Sequence, residues 1–238
     1  MDALTYEHDG ALTWPVVDRL RGSHGPGLRI LRGAIQMTMR TLLHTYNRLD
    51  IEGRENLPLR ASFIMVCNHS SHLDAVCLLA SLPLRQVHHA FPVAAADYFF
   101  STPLRAVVST VAVNGLPLDR DHGAGSLDGF RTLLAAPHSV LIFFPEGTRS
   151  RTGELGRFRS GVARLVAGTT TPVVPCHLSG AFEAWPKGHS IPRPVPLRLR
   201  IGRPRVFPTL SPTDRDGVRC ISSQLRDDVA ALGGQDDQ

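Results

Sequence analysis

From residue 61 onward, short apolar runs rich in β-branched and aromatic residues alternate with segments of helical periodicity. Apolar runs of this length are typical of buried strands, and a period of 3.6 residues is typical of helices. The predicted strands cover residues 62–67, 89–95, 111–115, 139–144, 172–178 and 197–202. The predicted helices cover residues 71–82, 97–109, 125–136, 159–168 and 215–232. This alternation predicts an α/β fold, with a mixed, largely parallel sheet flanked by helices on both faces and ligands bound outside the carboxyl ends of the strands.

A different pattern precedes this unit, in residues 27–49, which contain four arginines and no acidic residue. At helical spacing, one side of this segment is apolar and another is basic; the apolar residues are Leu28, Leu31, Ile35, Met39, Leu42 and Tyr46, and the basic ones are Arg29, Arg32 and Arg40. The apolar stripe packs on the protein's own core, or it lies in a membrane surface with the arginines on lipid phosphates. We therefore divide the chain into an N-terminal segment with an interfacial amphipathic helix, residues 1–49, and one domain, residues 50–238.

The composition is basic and unusually poor in lysine, because Lys187 is the single lysine among 26 basic residues, against 21 acidic ones. Arginine binds phosphate through a planar fork of donors, which suits anionic partners, although a coding bias would produce the same excess. The four cysteines are far apart in the sequence, so we expect neither a zinc cluster nor a disulfide framework. We expect the protein in a reducing compartment. We expect no secretory signal, and the uncharged stretch 106–118 is too short to span a bilayer.

The stretch CNHSSHLDA, residues 67–75, follows a predicted strand and holds several side chains that exchange protons. Ser71 and Asp74 resemble a helix capping box with Asp in place of Glu. That interpretation leaves His69 unexplained. If His69 lies in the turn and Asp74 in the first helical turn, the carboxylate can accept a hydrogen bond from one imidazole nitrogen, and the other nitrogen acts as a general base. His69 and His72 form an HxxH pair, but no further ligands complete a metal site, so we predict none.

A second stretch, FFPEGTRSR at residues 143–151, forms a turn at the carboxyl end of a predicted strand. Its Glu146, Thr148 and Arg149 project where an α/β fold binds ligands. Arg149, and Arg120 at the end of an earlier apolar run, are candidates for an anion clamp. The chain has neither a P-loop nor a GxGxxG motif after a strand, so we expect no bound ATP or NAD, and we expect no nucleic-acid partner.

These motifs occur in order over residues 50–210, and in this the chain resembles the glycerolipid acyltransferases, specifically the 1-acylglycerol-3-phosphate acyltransferases. NHSSHLD resembles the family's block of a histidine, four residues and an aspartate, which implies His69 as the base and Asp74 as its partner. Three further stretches of this chain resemble the family's other blocks. They are GLPLDR, with Gly115, Pro117 and Arg120; FPEGTRS, with Glu146, Gly147, Thr148 and Arg149; and VVPCHLSG, with Pro175. The second block lacks the family's usual aromatic residue, which Pro117 replaces.

The resemblance implies that residues 50–238 are an acyltransferase domain that moves a fatty acyl group to the sn-2 hydroxyl of 1-acylglycerol-3-phosphate, giving phosphatidate. Arg120, Glu146, Gly147, Thr148 and Arg149 are then expected to hold the acceptor, and Pro175 to bind the acyl donor or shape its site. The thioester is acyl-CoA or acyl carrier protein, and no cofactor is expected. Backbone N–H groups at residues 70–72 are the expected oxyanion donors. We expect the protein at the cytoplasmic face of a membrane, as a peripheral or monotopic enzyme.

Three other functions remain open from the sequence. The first is acylation of another lysolipid or hydroxyl, such as that of a lyso-ornithine lipid. The second is hydrolysis of the thioester, in which His69 activates water. The third is a membrane-binding module without catalytic activity, which predicts liposome binding and no thioester turnover.

Overall fold

A computed structural model describes residues 25–95, 114–118, 125–186, 188–189 and 191–234. The strands within these residues are β1 (Asp50–Glu52), β2 (Phe63–Cys67), β3 (Ala90–Ala95), β4 (Leu116–Leu118), β5 (Val140–Phe143), β6 (Thr169–Ser179), β7 (Arg198–Ile201) and β8 (Arg205–Phe207). They form one sheet in the order β1-β7-β6-β2-β5-β3-β4, and β8 also pairs with β6. All neighbours run parallel except β6 with β7 and β6 with β8, so the predicted mixed, largely parallel sheet is confirmed.

The helices of the described residues are α1 (Pro26–Tyr46), α2 (Leu73–Ser81), α3 (Leu84–Val87), α4 (Gly125–Ala135), α5 (Gly161–Val166), α6 (Ala181–Ala184) and α7 (Arg215–Gly233). A short 3₁₀ helix covers Arg54–Asn56. None of the helices in these parts of the chain is long and apolar enough to cross a membrane.

Most predicted elements agree with the structure to within a few residues, and the differences have simple causes. The predicted helix 97–109 lies outside the described residues, as does the predicted strand 111–115 except for residues 114–115. Those two are not in a strand, which begins instead at Leu116. The three-residue strands β1 and β8 were not predicted, because so short a run carries little alternation of its own.

Helices cover both faces of the sheet, as predicted, and β2 shows how the sequence fills both sides. All five residues of β2 are buried, as expected for a parallel strand covered on each face. Since successive side chains of a strand point to opposite faces, Met65 joins a cluster with Leu78 of α2, while Ile64 joins a cluster with Phe130 of α4 and Ile221 of α7. The division of the chain at residue 49 stays a prediction, although Leu43 of α1 belongs to the first of these clusters.

Helix α1 packs against α2 and α3 with its polar side rather than with its apolar stripe. Arg32 is fully buried, and Arg40 donates hydrogen bonds to the carbonyl oxygens of Leu79 and Leu82, at the carboxyl end of α2. Both arginines therefore face the protein, where Arg40 satisfies the last carbonyl groups of α2, whereas Arg29 is exposed. Contact of the basic side with lipid phosphates was one of two alternatives and stays a prediction. Large apolar side chains of α1 are exposed instead, namely Ile30, Leu31, Met37, Leu42 and Tyr46.

Candidate active site

The sheet order brings the two informative stretches of the sequence together. Strands β2 and β5 are parallel neighbours, with Val66 opposite Phe143, so their carboxyl ends lie side by side. The turn after β2, residues 68–72, carries His69 and leads into α2. The loop after β5, residues 144–151, carries Glu146 and Arg149. We call these segments the His69 turn and the Glu146 loop.

The predicted contact between His69 and Asp74 is present. The Nδ1 atom of His69 lies 2.7 Å from Oδ2 of Asp74, whose side chain is only 1% exposed, against 18% for the histidine. The same oxygen accepts hydrogen bonds from the backbone N–H groups of Ser70, at 2.8 Å, and Ser71, at 2.9 Å. Because residues 68–72 are not helical and α2 begins at Leu73, the chain folds back far enough for a carboxylate in the first helical turn to reach the imidazole.

This carboxylate serves as a helix cap and as a histidine partner at once. Half of the predicted capping box is present, since Asp74 accepts from the Ser71 N–H. The Ser71 hydroxyl accepts from the N–H of Leu73, at 3.2 Å, and donates to the carbonyl oxygen of Trp185, at 2.9 Å. The two interpretations of Asp74 offered by the sequence are therefore compatible.

The structure corrects the expected oxyanion donors. The N–H groups of Ser70 and Ser71 both bind the Asp74 carboxylate. An N–H group that already donates to a buried carboxylate is not available to a developing oxyanion. Two of the three donors expected at residues 70–72 are thus used to hold the carboxylate.

The Glu146 loop holds the backbone of His69 from both sides. The Glu146 carboxylate accepts hydrogen bonds from the N–H groups of His69, at 2.8 Å, and Gly156, at 3.0 Å. The Ser150 N–H donates to the carbonyl oxygen of His69, at 2.7 Å. Burial raises the pKa of Glu146, and the two N–H donors oppose that shift. Direct contact of Glu146 with a substrate stays a prediction.

An aromatic side chain that the sequence did not single out orients the imidazole. The Phe144 ring stacks on the His69 ring, with centroids 4.2 Å apart and planes 19° from parallel. Phe144 directly follows β5, so the parallel pairing that aligns the two carboxyl ends also brings these rings into contact. Because the Phe144 ring covers one face of the imidazole, it restricts rotation of the His69 ring about χ2.

The remaining residues of the third block form a tight turn beside His69. The N–H of Gly147 donates to the Phe144 carbonyl, at 2.9 Å, and Gly147 has a φ of 73°. A side chain here would be strained by that φ and would come within 2.6 Å of Nε of Arg159, which explains the glycine. Thr148 is exposed and Arg149 is half-buried. Their predicted contact with an acceptor is untested, and Arg120 lies outside the described residues.

Asn68 and Pro175 connect the His69 turn to β6. The Asn68 amide both donates to and accepts from the backbone of Leu178, at 3.0 and 2.8 Å, which fixes the end of β2 against β6. Pro175 lies in β6 opposite Val66, and its ring lies beside Gly202 and close to Leu232 of α7. Its missing N–H falls where β6 changes partner from β8 to β7, so no ladder bond is lost. These contacts are structural, and a role in donor binding stays a prediction.

The predicted HxxH pair does not come together as a metal site. The His72 ring packs against Trp185, with centroids 5.4 Å apart, while His69 pairs with Asp74. Among the residues that the structure describes, no three His, Cys, Asp or Glu side chains are grouped closely enough to bind a metal ion.

The fold and the site together define an α/β protein with a carboxylate-bound histidine at the carboxyl ends of parallel strands, the arrangement of a general base. A family model described as acyltransferase matches residues 48–179, and the chain belongs to this acyltransferase family.

Named relatives agree with this family. The chain is 32% identical to a 1-acyl-sn-glycerol-3-phosphate acyltransferase of Limnanthes douglasii over 155 residues, which are 64% of this chain and 52% of the relative. It is 26% identical to the 1-acyl-sn-glycerol-3-phosphate acyltransferase alpha of Ovis aries over 216 residues, 90% of this chain and 67% of the relative. The chain thus spans about half the length of the plant relatives that it matches.

A solved structure shares the fold. The crystal structure of the 1-acyl-sn-glycerophosphate acyltransferase PlsC from Thermotoga maritima matches with a TM-score of 0.64 and 20% sequence identity, covering 94% of this chain and 89% of that one. At this identity the match concerns the fold alone.

Proposed function

We propose that this protein transfers a fatty acyl group from a thioester to the sn-2 hydroxyl of 1-acylglycerol-3-phosphate, which gives phosphatidate and a free thiol. The observation that carries the proposal is the 2.7 Å contact between His69 and Asp74, held beside the Glu146 loop. The names of the relatives support the acceptor.

The chemistry follows from the position of the imidazole. The Asp74 carboxylate accepts a hydrogen bond from Nδ1–H of His69, so Nε2 carries the lone pair and takes the proton of the acceptor hydroxyl. The oxygen attacks the thioester carbonyl, and the tetrahedral intermediate collapses as the C–S bond breaks. The thiolate then takes the proton from the imidazolium, which the Asp74 charge stabilises while it exists. No cofactor enters this sequence of steps.

The acceptor phosphate is assigned to arginines. Arg149 lies between Glu146 and Ser150, the two residues of the Glu146 loop that hydrogen-bond to the backbone of His69. Arg120 is the second candidate. The arginine donors would hold the phosphate at one end of the acceptor, and His69 would contact its sn-2 hydroxyl. Together these contacts would fix the position of the hydroxyl.

The acceptor and the product are lipids, so the enzyme is expected to work at a membrane surface. The exposed apolar side chains of α1 support this, with Ile30 73% exposed and Leu31 and Leu42 each 50% exposed. An exposed apolar helix face marks an interaction surface, and an acyl boundary would accept it. We place the protein at the cytoplasmic face of the membrane, as a peripheral or monotopic enzyme whose donor is acyl-CoA or acyl carrier protein.

A matrix of donors and acceptors tests the proposal. The purified full chain is incubated with liposomes, with acyl-CoA or acyl carrier protein, and with lysophosphatidate or a lyso-ornithine lipid, and the products are read by mass spectrometry. Phosphatidate from either donor is the expected result. Acylation of the lyso-ornithine lipid alone, free fatty acid without an acylated lipid, or liposome binding without thioester turnover would each replace the proposal with one of the alternatives.

His69→Ala is expected to lower turnover about 10²- to 10⁴-fold, the usual loss for a general base, while binding of lysophosphatidate is kept. His138→Asn is a matched control, because His138 is exposed at the opposite end of β5 and has a φ of 61°, which asparagine tolerates. Turnover near that of the unaltered chain in His69→Ala would remove His69 from the chemistry.

A further inference from the structure

An arginine-rich cleft lies between the segment 157–164 and residues 212–226, most of which belong to α7. Its volume is about 930 Å³, and we call it the arginine cleft. Six arginines line it, namely Arg157, Arg159, Arg164, Arg215, Arg219 and Arg226. Among the residues that the structure describes, buried Glu146 is the only acidic one in its wall.

Few carboxylates neutralise this cluster. Asp216 lies 3.8 Å from Arg219, and Asp227 lies 3.4 Å from Arg226, but both aspartates are exposed and neither lines the cleft. Exposed pairs of this kind are weak. Arg157, Arg164 and Arg215 have no ion pair with any described residue. Six guanidinium groups facing one concave space create a positive potential that selects for a polyanion.

The cleft also offers hydrogen-bonding and apolar groups. Hydroxyl groups line it at Ser160, Thr213, Ser222 and Ser223, and Phe158 and Val218 supply apolar wall. A volume of this size and mixed character suits a small molecule rather than a single ion, because ligand pockets run from about 300 to 1,000 Å³. Arginine planes also stack on flat rings, so a heterocycle would be accepted beside phosphate.

The cleft is joined to the active site through Glu146. Glu146 lines the cleft, and its carboxylate accepts hydrogen bonds from the N–H groups of both His69 and Gly156. Arg226, on the far wall, donates to the carbonyl oxygen of Gly156, at 3.2 Å. A single side chain, that of Glu146, therefore connects the wall of the cleft to the backbone of the candidate base.

We propose that the arginine cleft binds the 3′-phospho-ADP end of a coenzyme A thioester, and so that the acyl donor is the CoA ester. This inference rests on the proposed function. That end of the molecule has three phosphate groups and an adenine, which match the guanidinium groups, the hydroxyl groups and the apolar wall. Its flexible pantetheine arm would run from the cleft past Glu146 and present the thioester carbonyl to the hydroxyl that His69 deprotonates.

Two other anions fit less well. The acceptor contributes one phosphomonoester, which needs one or two arginines and is already assigned to Arg149 and Arg120. An acidic carrier protein would dock on a broad, open basic surface, whereas these arginines line a concave space of small-molecule size. The experiment separates the three ligands.

Binding of CoA, dephospho-CoA and 3′,5′-ADP to the full chain is measured by calorimetry, without turnover. We expect CoA to bind more tightly than dephospho-CoA. Arg219→Ala and Arg164→Ala should each weaken CoA binding about tenfold, as expected for one charge-assisted contact, and reduce the preference for the 3′-phosphate. Arg60→Ala is the control, because Arg60 is exposed at the amino end of β2, away from the cleft.

Kinetics with the same variants provide the second measurement. The KM for acyl-CoA should rise by a similar factor, while the KM for lysophosphatidate stays unchanged. CoA binding unaffected by both substitutions overturns the proposal. A rise in KM for acyl carrier protein alone assigns the cleft to that protein, and a rise for lysophosphatidate alone assigns it to the acceptor; each result overturns the proposal. Because CoA binding needs no acyl transfer, the test also distinguishes failure of the cleft assignment from failure of the proposed reaction.

Discussion

The hydrogen bonds of Asp74 predict an informative result for Asp74→Asn. A single oxygen, Oδ2, accepts from His69 Nδ1, Ser70 N–H and Ser71 N–H, while Oδ1 is buried without a partner among the described residues. In the asparagine variant the oxygen should stay at the Oδ2 position, because two fixed N–H donors require an acceptor there. The amide nitrogen then takes the Oδ1 position, and His69 keeps its proton on Nδ1.

Activity is therefore expected to fall because the negative charge of residue 74 is lost, whereas the tautomer of His69 is unchanged. A carboxylate and an imidazolium whose charges are about 4 Å apart interact by about 4 kcal/mol at an effective dielectric constant of about 20. Losing that stabilisation lowers turnover about 10³-fold. The buried amide nitrogen lacks an acceptor, which costs about 1–3 kcal/mol of stability.

Turnover, thermal melting and ¹⁵N NMR of the imidazole nitrogens check this reasoning. Asp128→Asn is the control, since Asp128 also lies in the first turn of a helix, α4, but is exposed and pairs with Arg131 on the surface, at 2.8 Å. Turnover above a tenth of that of the unaltered chain would show that the charge is not needed. A proton on Nε2 in the variant would refute the assigned orientation of the amide.

Three further results are expected. Arg149→Lys should raise the KM for lysophosphatidate roughly tenfold or more in steady-state kinetics, because a lysine cannot make a bidentate contact with phosphate. Gly147→Ala should lower stability by about 1–2 kcal/mol, or roughly 2–8 °C in melting temperature, because of the positive φ, and should lower turnover by moving the Glu146 loop. The double variant Ile30→Ser with Leu31→Ser should weaken liposome binding in a flotation assay without changing the melting temperature, since both side chains are exposed.

Each of these has a matched control. Arg151→Lys changes an exposed neighbour of Arg149, and equal effects on KM would mean that neither arginine is specific. Gly161→Ala places a methyl group where nothing lies within 4 Å, so it should be neutral, and a loss equal to that of Gly147→Ala would contradict the role of φ. Val206→Ser removes another side chain that is 50% exposed, on β8, and should leave liposome binding unchanged.

The sequence predicted what local spacing determines. His69 and Asp74 are five residues apart across a turn, so their contact depends only on where α2 begins. The contacts of Asn68 and Glu146 do not follow from local spacing, because their partners are distant in the sequence. Asn68 binds Leu178, which is 110 residues away, and Glu146 binds His69, which is 77 residues away. Both contacts require a strand order that places β6 and β5 on either side of β2, and apolar runs alone do not specify that order.

Helix α1 shows a second limit of the pattern. Its periodicity predicted a two-sided helix, and the structure contains one, but the side that faces the protein is the one with Arg32 and Arg40. Periodicity separates the faces of a helix without saying which one is covered. The orientation of α1 depends on the carbonyl groups at the end of α2, which Arg40 satisfies. It could therefore not be predicted from the sequence of α1 alone.

The contacts around His69 explain why one histidine can be poised for catalysis. Its N–H is held by Glu146, its carbonyl by Ser150, its ring plane by Phe144 and its Nδ1 by Asp74. A base fixed in this way has little freedom to lose when substrate binds, so more of the binding energy of the substrate lowers the barrier. Two of these contacts are made to the backbone of His69 and one is made by an aromatic ring, which is why a motif of charged residues describes only part of the site. Substituting Phe144 by a smaller apolar residue should accordingly reduce turnover while the charges of the site remain intact.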